Sequence, residues 1–284
     1  MEITKIGVIG AGTMGSGIAE VCARGGVGTT VIELDESFLP VARSRIEASL
    51  QKAVDRGRLE PSVREAAIEA LGFSTELDAL GDVDLVIEAV VEDRELKVDL
   101  FTRLDRATKP TAILASNTSS IPLTGLGAAT ERPEQVLGMH FFNPAQVQPL
   151  VELVRSAVTA EATLDLVEHF TTTTLDKTVI RCEDRAGFVV NRLLVPFLLQ
   201  AIELLDTGHT TVADIDRGMK LGCAHPMGPL ELCDLIGLDT IENVADVLYV
   251  EYRERFHAPP PLLRRMVTAG HLGRKSGKGF YDYD

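Results

Sequence analysis

A glycine-rich turn near the N-terminus constrains the fold of this chain more than any other feature. The run Lys5–Ile9 is strand-like, and the stretch Met14–Ala23 has helical spacing. Between them, three glycines follow the pattern GxGxxG: Gly10, Gly12 and Gly15. In a strand–turn–helix unit the first glycine permits the tight turn, the second admits a pyrophosphate, and the third lets the helix pack closely. The motif therefore predicts a dinucleotide site.

The phosphates of such a dinucleotide are expected at the N-terminus of the following helix, at Thr13 and Met14, where free N–H groups and the helix dipole favour anions. A carboxylate at the end of the next strand would hold the adenosine ribose. Asp35 lies twenty residues after Gly15 and is the preferred candidate, while Glu33 has the same strand parity and stays an alternative. A carboxylate here repels a 2′-phosphate, so NAD is favoured over NADP.

Strand-like and helix-like segments alternate through the first part of the chain. Further strand-like runs are Thr30–Leu34, Asp84–Ala89, Ala112–Ala115, Val136–Phe142, Leu150–Val154 and Thr178–Arg181. Helix-like stretches are Glu36–Arg56 and Glu92–Ala107. This alternation predicts right-handed parallel crossovers and an α/β fold with a doubly wound, Rossmann-type sheet.

After about Asp184 the pattern becomes helical. The helix-like stretches are Gly187–Leu205, with a kink expected at Pro196, then Val212–Leu221, Leu230–Tyr249 and Pro261–Ala269. We therefore predict two domains: an NAD-binding domain over residues 1–184 and an all-helical domain over residues 185–284.

The composition excludes several classes of partner. Lys and Arg number 28 against 42 Asp and Glu, a net charge of −14, which argues against a general nucleic-acid surface and against docking on anionic lipid. No apolar run is long enough to cross a membrane, and no signal-peptide pattern is visible, so a cytoplasmic protein is expected. The four cysteines lack metal-ligand spacing, and no metal site is expected.

Longer motifs occur along the whole chain in one order. They are Gly10–Ala19 (GAGTMGSGIA), Val86–Lys97 (VIEAVVEDRELK), Ala115–Ser120 (ASNTSS), Gly138–Pro144 (GMHFFNP), Gly187–Leu193 (GFVVNRL), Met219–Asp239 and Gly273–Tyr281. In the sequences and the order of these motifs, the chain resembles the single-function L-3-hydroxyacyl-CoA dehydrogenases, which include the 3-hydroxybutyryl-CoA dehydrogenases. The resemblance implies a Rossmann domain, a helical C-terminal domain that forms a homodimer, and NAD-dependent oxidation of a 3-hydroxyacyl thioester to the 3-ketoacyl thioester.

Oxidation of a secondary alcohol needs a base for the hydroxyl proton, and histidine suits this role near neutral pH. His140 lies at the end of a predicted strand, where α/β sheets bind ligands, although a histidine between Met and Phe is more often a core residue. Glu152 lies on the next predicted strand and could either face water or approach His140. The resemblance assigns His140 and Glu152 as a catalytic dyad.

The resemblance also implies roles for further polar residues. They are Ser119 and Asn191 as catalytic and substrate contacts, and Glu92, Lys97, Ser119, Asn143 and Lys275 as cofactor contacts. From local sequence alone, Ser119 could equally cap a helix, and Glu92 could belong to a solvated helix N-terminus.

A basic stripe is predicted on the helix-like stretch Glu36–Arg56. Arg45, Ser49, Lys52 and Arg56 are spaced to share one face, and Arg58 follows. A solvated basic face would give the same pattern. The resemblance favours a contact with the phosphates of CoA, with Lys52 and Arg56 as substrate-binding residues.

Two glutamines depart from the pattern of this family. Gln146 stands where proline is usual, and Gln148 where an apolar residue is usual. They lie beside the expected acyl-binding loop, so a polar or carrier-protein-bound hydroxyacyl thioester is the alternative substrate.

Overall fold

The computed structural model describes residues 2–283 and divides into two compact units between Arg185 and Ala186. The predicted domain boundary, between residues 184 and 185, lies one residue earlier. The helices among the described residues include none long and apolar enough to span a bilayer.

The described part of the first unit contains one eight-stranded sheet in the order β3-β2-β1-β4-β5-β6-β7-β8. The strands are β1 Lys5–Ile9, β2 Gly28–Ile32, β3 Leu71–Ser74, β4 Leu85–Glu88, β5 Ile113–Ser116, β6 Val136–Phe141, β7 Leu150–Arg155 and β8 Thr178–Glu183. The first six strands are parallel, β7 is antiparallel to β6, and β8 is parallel to β7. This sheet confirms the predicted Rossmann-type class.

Helices cover this sheet, as parallel crossovers require. They are α1 Thr13–Arg24, α2 Leu39–Asp55, α3 Pro61–Glu69, α4 Arg94–Ala107, α5 Leu123–Gly127 and α6 Glu161–Thr173. The predicted helix Glu36–Arg56 starts instead with a 3₁₀ turn, Glu36–Phe38, and α2 follows with Pro40 in its first turn, where a missing N–H costs nothing. The strand β3 and the helices α3, α5 and α6 were not predicted from periodicity.

The second unit, residues 186–283 as described, is built from helices, as predicted. They are α7 Val190–Asp206, α8 Val212–Gly222, α9 Pro229–Ile236, α10 Leu238–Tyr252 and α11 Pro261–Thr268. The single helix predicted over Leu230–Tyr249 is wrong, because Gly237 has a φ of 104° and separates α9 from α10. The helix α7 continues through the buried Pro196.

A buried carboxylate holds the last residues of the second unit against α9. Asp234 accepts hydrogen bonds from the backbone N–H groups of Phe280 and Tyr281, at 2.9 Å each, and from the Tyr283 hydroxyl at 3.0 Å. Asp234 is 1% exposed, so these donors replace the water that its charge would otherwise need.

Candidate active site

The glycine turn between β1 and α1 has the geometry that its spacing predicts. Gly10 has a φ of +84°, which strains any residue with a side chain. A Cβ on Gly15 would lie 1.7 Å from the Gly10 carbonyl oxygen, so glycine is required there. A Cβ on Gly12 would meet nothing within 4 Å, which leaves that side of the turn open. The N-terminus of α1, at Thr13 and Met14, therefore adjoins open space suited to phosphates.

The carboxylate hydrogen-bonded to this turn is that of Glu33, the alternative candidate, rather than that of Asp35, the preferred one. The strand β2 ends at Ile32, two residues earlier than predicted. As a result, Glu33 Oε1 accepts the backbone N–H of Ala11 at 2.5 Å. Asp35 instead accepts the N–H of Ser37 at 2.7 Å as the cap of the 3₁₀ turn. Hydrogen bonding by the side chain and then the backbone of Ser37 lowers the pKa of the Asp35 carboxyl group.

A cavity of about 240 Å³ opens next to Glu33. Its lining residues are Ala11, Gly12, Glu33, Phe38, Val41, Ala42 and Arg45. The Arg45 guanidinium donates from Nη1 to the carbonyl oxygen of Ala11 at 2.6 Å. Arg45, predicted as part of the CoA stripe, therefore lies at the glycine turn, and the peptide groups of Ala11 are held by Glu33 on one side and Arg45 on the other.

His140 and Glu152 face each other across the antiparallel pair β6 and β7. The register places the two residues directly opposite, and His140 Nδ1 lies 2.7 Å from Glu152 Oε2. His140 is 7% exposed and Glu152 is 0% exposed. A carboxylate at Nδ1 keeps the proton on that nitrogen, so Nε2 is the acceptor of the neutral ring.

The loop over residues 142–149, which joins these two strands, is held at several points. The Lys177 ammonium donates to the carbonyl oxygens of Ala145 at 2.8 Å and Gln148 at 2.7 Å. Gln146 Nε2 donates to Ser49 Oγ on α2 at 3.1 Å. The side chain of Gln146 is therefore engaged with α2.

A buried ionic network lies at the ends of β4 and β5, and sequence reasoning missed its central residue, Glu88. Lys97 Nζ lies 2.6 Å from Glu88 Oε1 and 3.2 Å from Glu92 Oε2. Glu88 Oε2 accepts the hydroxyl of Ser116 at 2.6 Å. Glu88 and Lys97 are 0% and 1% exposed, so Lys97 serves first as the counter-ion of two carboxylates. The sequence signal that could have identified Glu88 is the presence of an acidic residue at the carboxyl end of an apolar strand.

Glu92 holds the segment that follows β5. It accepts the backbone N–H groups of Ser119 and Ser120 at 3.2 Å each, and also the hydroxyls of Thr118 and Ser120. Burial would raise the pKa of Glu92, but the Lys97 charge and these hydrogen bonds outweigh it and lower the pKa. Glu92 is thus an ionised anchor that positions Ser119.

The remaining predicted residues are distributed over both units. Lys52 and Arg56 are exposed on α2 and just after it, and Asn143 is exposed in the loop after β6. Asn191 lies in the first turn of α7, in the second unit. In that unit Lys275 Nζ donates to Asp239 Oδ2 at 2.6 Å.

Comparison with known families decides which enzymes share this arrangement. The model of the 3-hydroxyacyl-CoA dehydrogenase NAD binding domain matches residues 5–185, and that of the 3-hydroxyacyl-CoA dehydrogenase C-terminal domain matches residues 187–283. The chain belongs to the 3-hydroxyacyl-CoA dehydrogenase family. It is accordingly an oxidoreductase of the 3-hydroxyacyl-CoA dehydrogenase type, and its cofactor is NAD.

Relatives of this 3-hydroxyacyl-CoA dehydrogenase are similar over at least nine tenths of their own length. A 3-hydroxybutyryl-CoA dehydrogenase of Mycobacterium tuberculosis is 54% identical over 282 residues, 99% of each chain. The mitochondrial hydroxyacyl-coenzyme A dehydrogenase of Sus scrofa is 39% identical and covers 99% of this chain and 91% of its own. The crystal structure of M. tuberculosis FadB2 superposes with a TM-score of 0.98 at 53% identity, with both chains fully covered.

Proposed function

We propose that the protein interconverts L-3-hydroxybutyryl-CoA and acetoacetyl-CoA, with NAD as the hydride carrier. The observation that carries the proposal is the buried pair of His140 and Glu152, 2.7 Å apart at the carboxyl end of a sheet strand. Ligands of open α/β sheets bind outside the carboxyl ends of the strands. The names of the M. tuberculosis relative and of the Ralstonia eutropha (S)-3-hydroxybutyryl-CoA dehydrogenase support the choice of substrate.

His140 acts as the general base in oxidation and as the general acid in reduction. Its Nε2 accepts the proton of the 3-hydroxyl group, and in the reverse direction returns a proton to the 3-keto oxygen. Glu152 holds the Nδ1–H and stabilises the charged ring that forms, since a buried carboxylate at hydrogen-bond distance offsets the positive charge. Bound NAD supplies the acceptor for the hydride from C3.

The other predicted residues position the reactants. We assign Ser119 to the substrate oxygen and to the nicotinamide end of the cofactor, with Glu92 and Lys97 holding its segment. The N-terminus of α1 binds the pyrophosphate, and Glu33 binds the adenosine ribose. Asn191 is proposed as a substrate contact. Asn143 and Lys275 are proposed as cofactor contacts. These three roles are the ones that the family resemblance implies.

Lys52 and Arg56 are proposed to bind the phosphates of CoA. Both are exposed, and they lie on and just after α2, whose Ser49 is hydrogen-bonded to the loop between the dyad strands. Because the amide of Gln146 is directed to Ser49, it does not argue for a polar acyl group. The names of the relatives favour the CoA thioester over a carrier-protein thioester.

The second unit is proposed to form a homodimer. Several of its large apolar side chains are exposed: Leu193, Leu204, Leu221, Leu235, Val250 and Phe256. Leu204 and Phe256 line one open cavity of this unit, and apolar side chains exposed side by side are typical of a surface that binds a partner. A monomeric mass by light scattering after size exclusion would contradict this proposal.

The dehydrogenase reaction is tested by NADH oxidation with acetoacetyl-CoA. We expect turnover with the CoA thioester and its loss in a His140→Ala variant that remains folded by circular dichroism. Full activity of that variant would refute the role of His140. Turnover with an acetoacetyl carrier protein alone would refute the CoA thioester as substrate.

A further inference from the structure

Two oppositely charged side chains face the cavity beside the glycine turn. Glu33 and Arg45 both line it, and both bind the same residue, Ala11, at its N–H and its carbonyl group respectively. Among the described residues that line this cavity, Arg45 is the one basic side chain. The two residues therefore lie where the adenosine end of a dinucleotide meets the turn.

Glu33 and Arg45 favour different cofactors. A carboxylate at this place accepts hydrogen bonds from ribose hydroxyls and repels a 2′-phosphate, whereas a nearby arginine accommodates that phosphate in enzymes that use NADP. A guanidinium suits this because its planar N–H groups bind phosphate oxygens in pairs. NAD is the cofactor of this family, so the carboxylate must prevail over the arginine.

We propose that Arg45 is a specificity-determining residue that can bind a 2′-phosphate, and that the charge of Glu33 alone prevents the use of NADP. The inference rests on the proposed role of Glu33 at the adenosine ribose. Removal of the Glu33 charge ends its repulsion of a 2′-phosphate, and the guanidinium then provides the attraction.

The position of Arg45 on α2 separates it from the other cations of that helix. Lys52 is seven residues further along, about 10 Å at 1.5 Å per residue. Arg43 lies near in sequence but faces elsewhere, since its guanidinium stacks 4.5 Å from the centre of the Phe73 ring and pairs with Glu47 at 3.7 Å. Arg43→Ala is therefore a matched control for loss of one positive charge from this helix.

The test measures binding directly, without turnover. NADH and NADPH are titrated by their own fluorescence, which is convenient because the chain has no tryptophan. The variants are Glu33→Gln, which keeps an oxygen for the Ala11 N–H, and the double variants that add Arg45→Ala or Arg43→Ala. We expect Glu33→Gln to lower the Kd for NADPH about tenfold or more, the added Arg45→Ala to abolish this gain, and the added Arg43→Ala to retain it.

The outcomes separate the two ideas. Equal NADPH affinity of Glu33→Gln with and without Arg45 would overturn the role of Arg45 and leave that of Glu33 intact. If Glu33→Gln changes the affinity for neither NADH nor NADPH, the assignment of Glu33 to the ribose fails instead. If Arg45→Ala proves unstable in thermal melts, Arg45→Gln replaces it in the Glu33→Gln background, because glutamine removes the charge and keeps an N–H donor. The same loss of the gain in NADPH affinity is expected.

Discussion

Replacing Glu152 with glutamine removes the negative charge of the dyad. The amide has nearly the volume of the carboxylate and retains an oxygen that can accept the Nδ1–H of His140. Packing between β6 and β7 is therefore preserved, because Glu152 is fully buried and its register opposite His140 is set by the sheet. What is lost is the negative charge that faces the ring when it takes up the substrate proton.

The size of the effect follows from the 2.7 Å contact between Nδ1 and Oε2. This contact puts the centres of the two charges about 4 Å apart, and at an effective dielectric constant of about 20 their attraction is about 4 kcal/mol. The amide dipole of glutamine retains a part of it, so about 3 kcal/mol is lost, near the upper end for a hydrogen bond to a charged group. At about 1.4 kcal/mol per tenfold change, kcat falls by roughly 100-fold.

The assay follows NADH during reduction of acetoacetyl-CoA and separates kcat from the two KM values. We expect kcat to fall and the KM for NADH to stay unchanged. Glu183→Gln is the control, since Glu183 is an exposed carboxylate on β8. A Glu152→Gln enzyme with an unchanged melting temperature and a kcat within about threefold of the parent would refute the electrostatic role of this residue.

Three further substitutions test other parts of the structure. Gln146→Ala removes the hydrogen bond to α2, which is worth about 1 kcal/mol, and should raise the KM for acetoacetyl-CoA about fivefold. Gln148→Ala is the control and should leave this KM unchanged. Asp84→Asn should lower the free energy of unfolding at pH 7 by about 2 kcal/mol, measured in urea. Burial raises the pKa of Asp84, but Lys109 and backbone donors outweigh it and hold the pKa at about 2, so the stabilisation is present above about pH 4 and lost as the pH falls towards 2. Gly279→Ala places a Cβ 1.9 Å from Asp234 Oδ1 and should lower the melting temperature; an unchanged melting curve would contradict the anchoring of the last residues.

Local spacing in the sequence was sufficient for the cofactor turn and for the fold class. The glycines of the turn act through backbone conformation and close approach, and these needs are met within ten residues of chain. The alternation of apolar runs with amphipathic stretches predicted the parallel sheet, because each strand buried on both faces is an apolar run. The strand β3 was missed because its four residues, LGFS, do not form such an apolar run.

The sequence by itself determined which residue types were available at the site, and the tertiary structure decided which of them meet. Glu33 and Asp35 share strand parity, and only the end of β2 at Ile32 puts Glu33 on the Ala11 N–H. Arg45 belongs to a helical stripe by spacing, yet it bonds to the glycine turn 34 residues away in sequence. Such contacts depend on the register of strands and the packing of helices, and local periodicity carries no information about either.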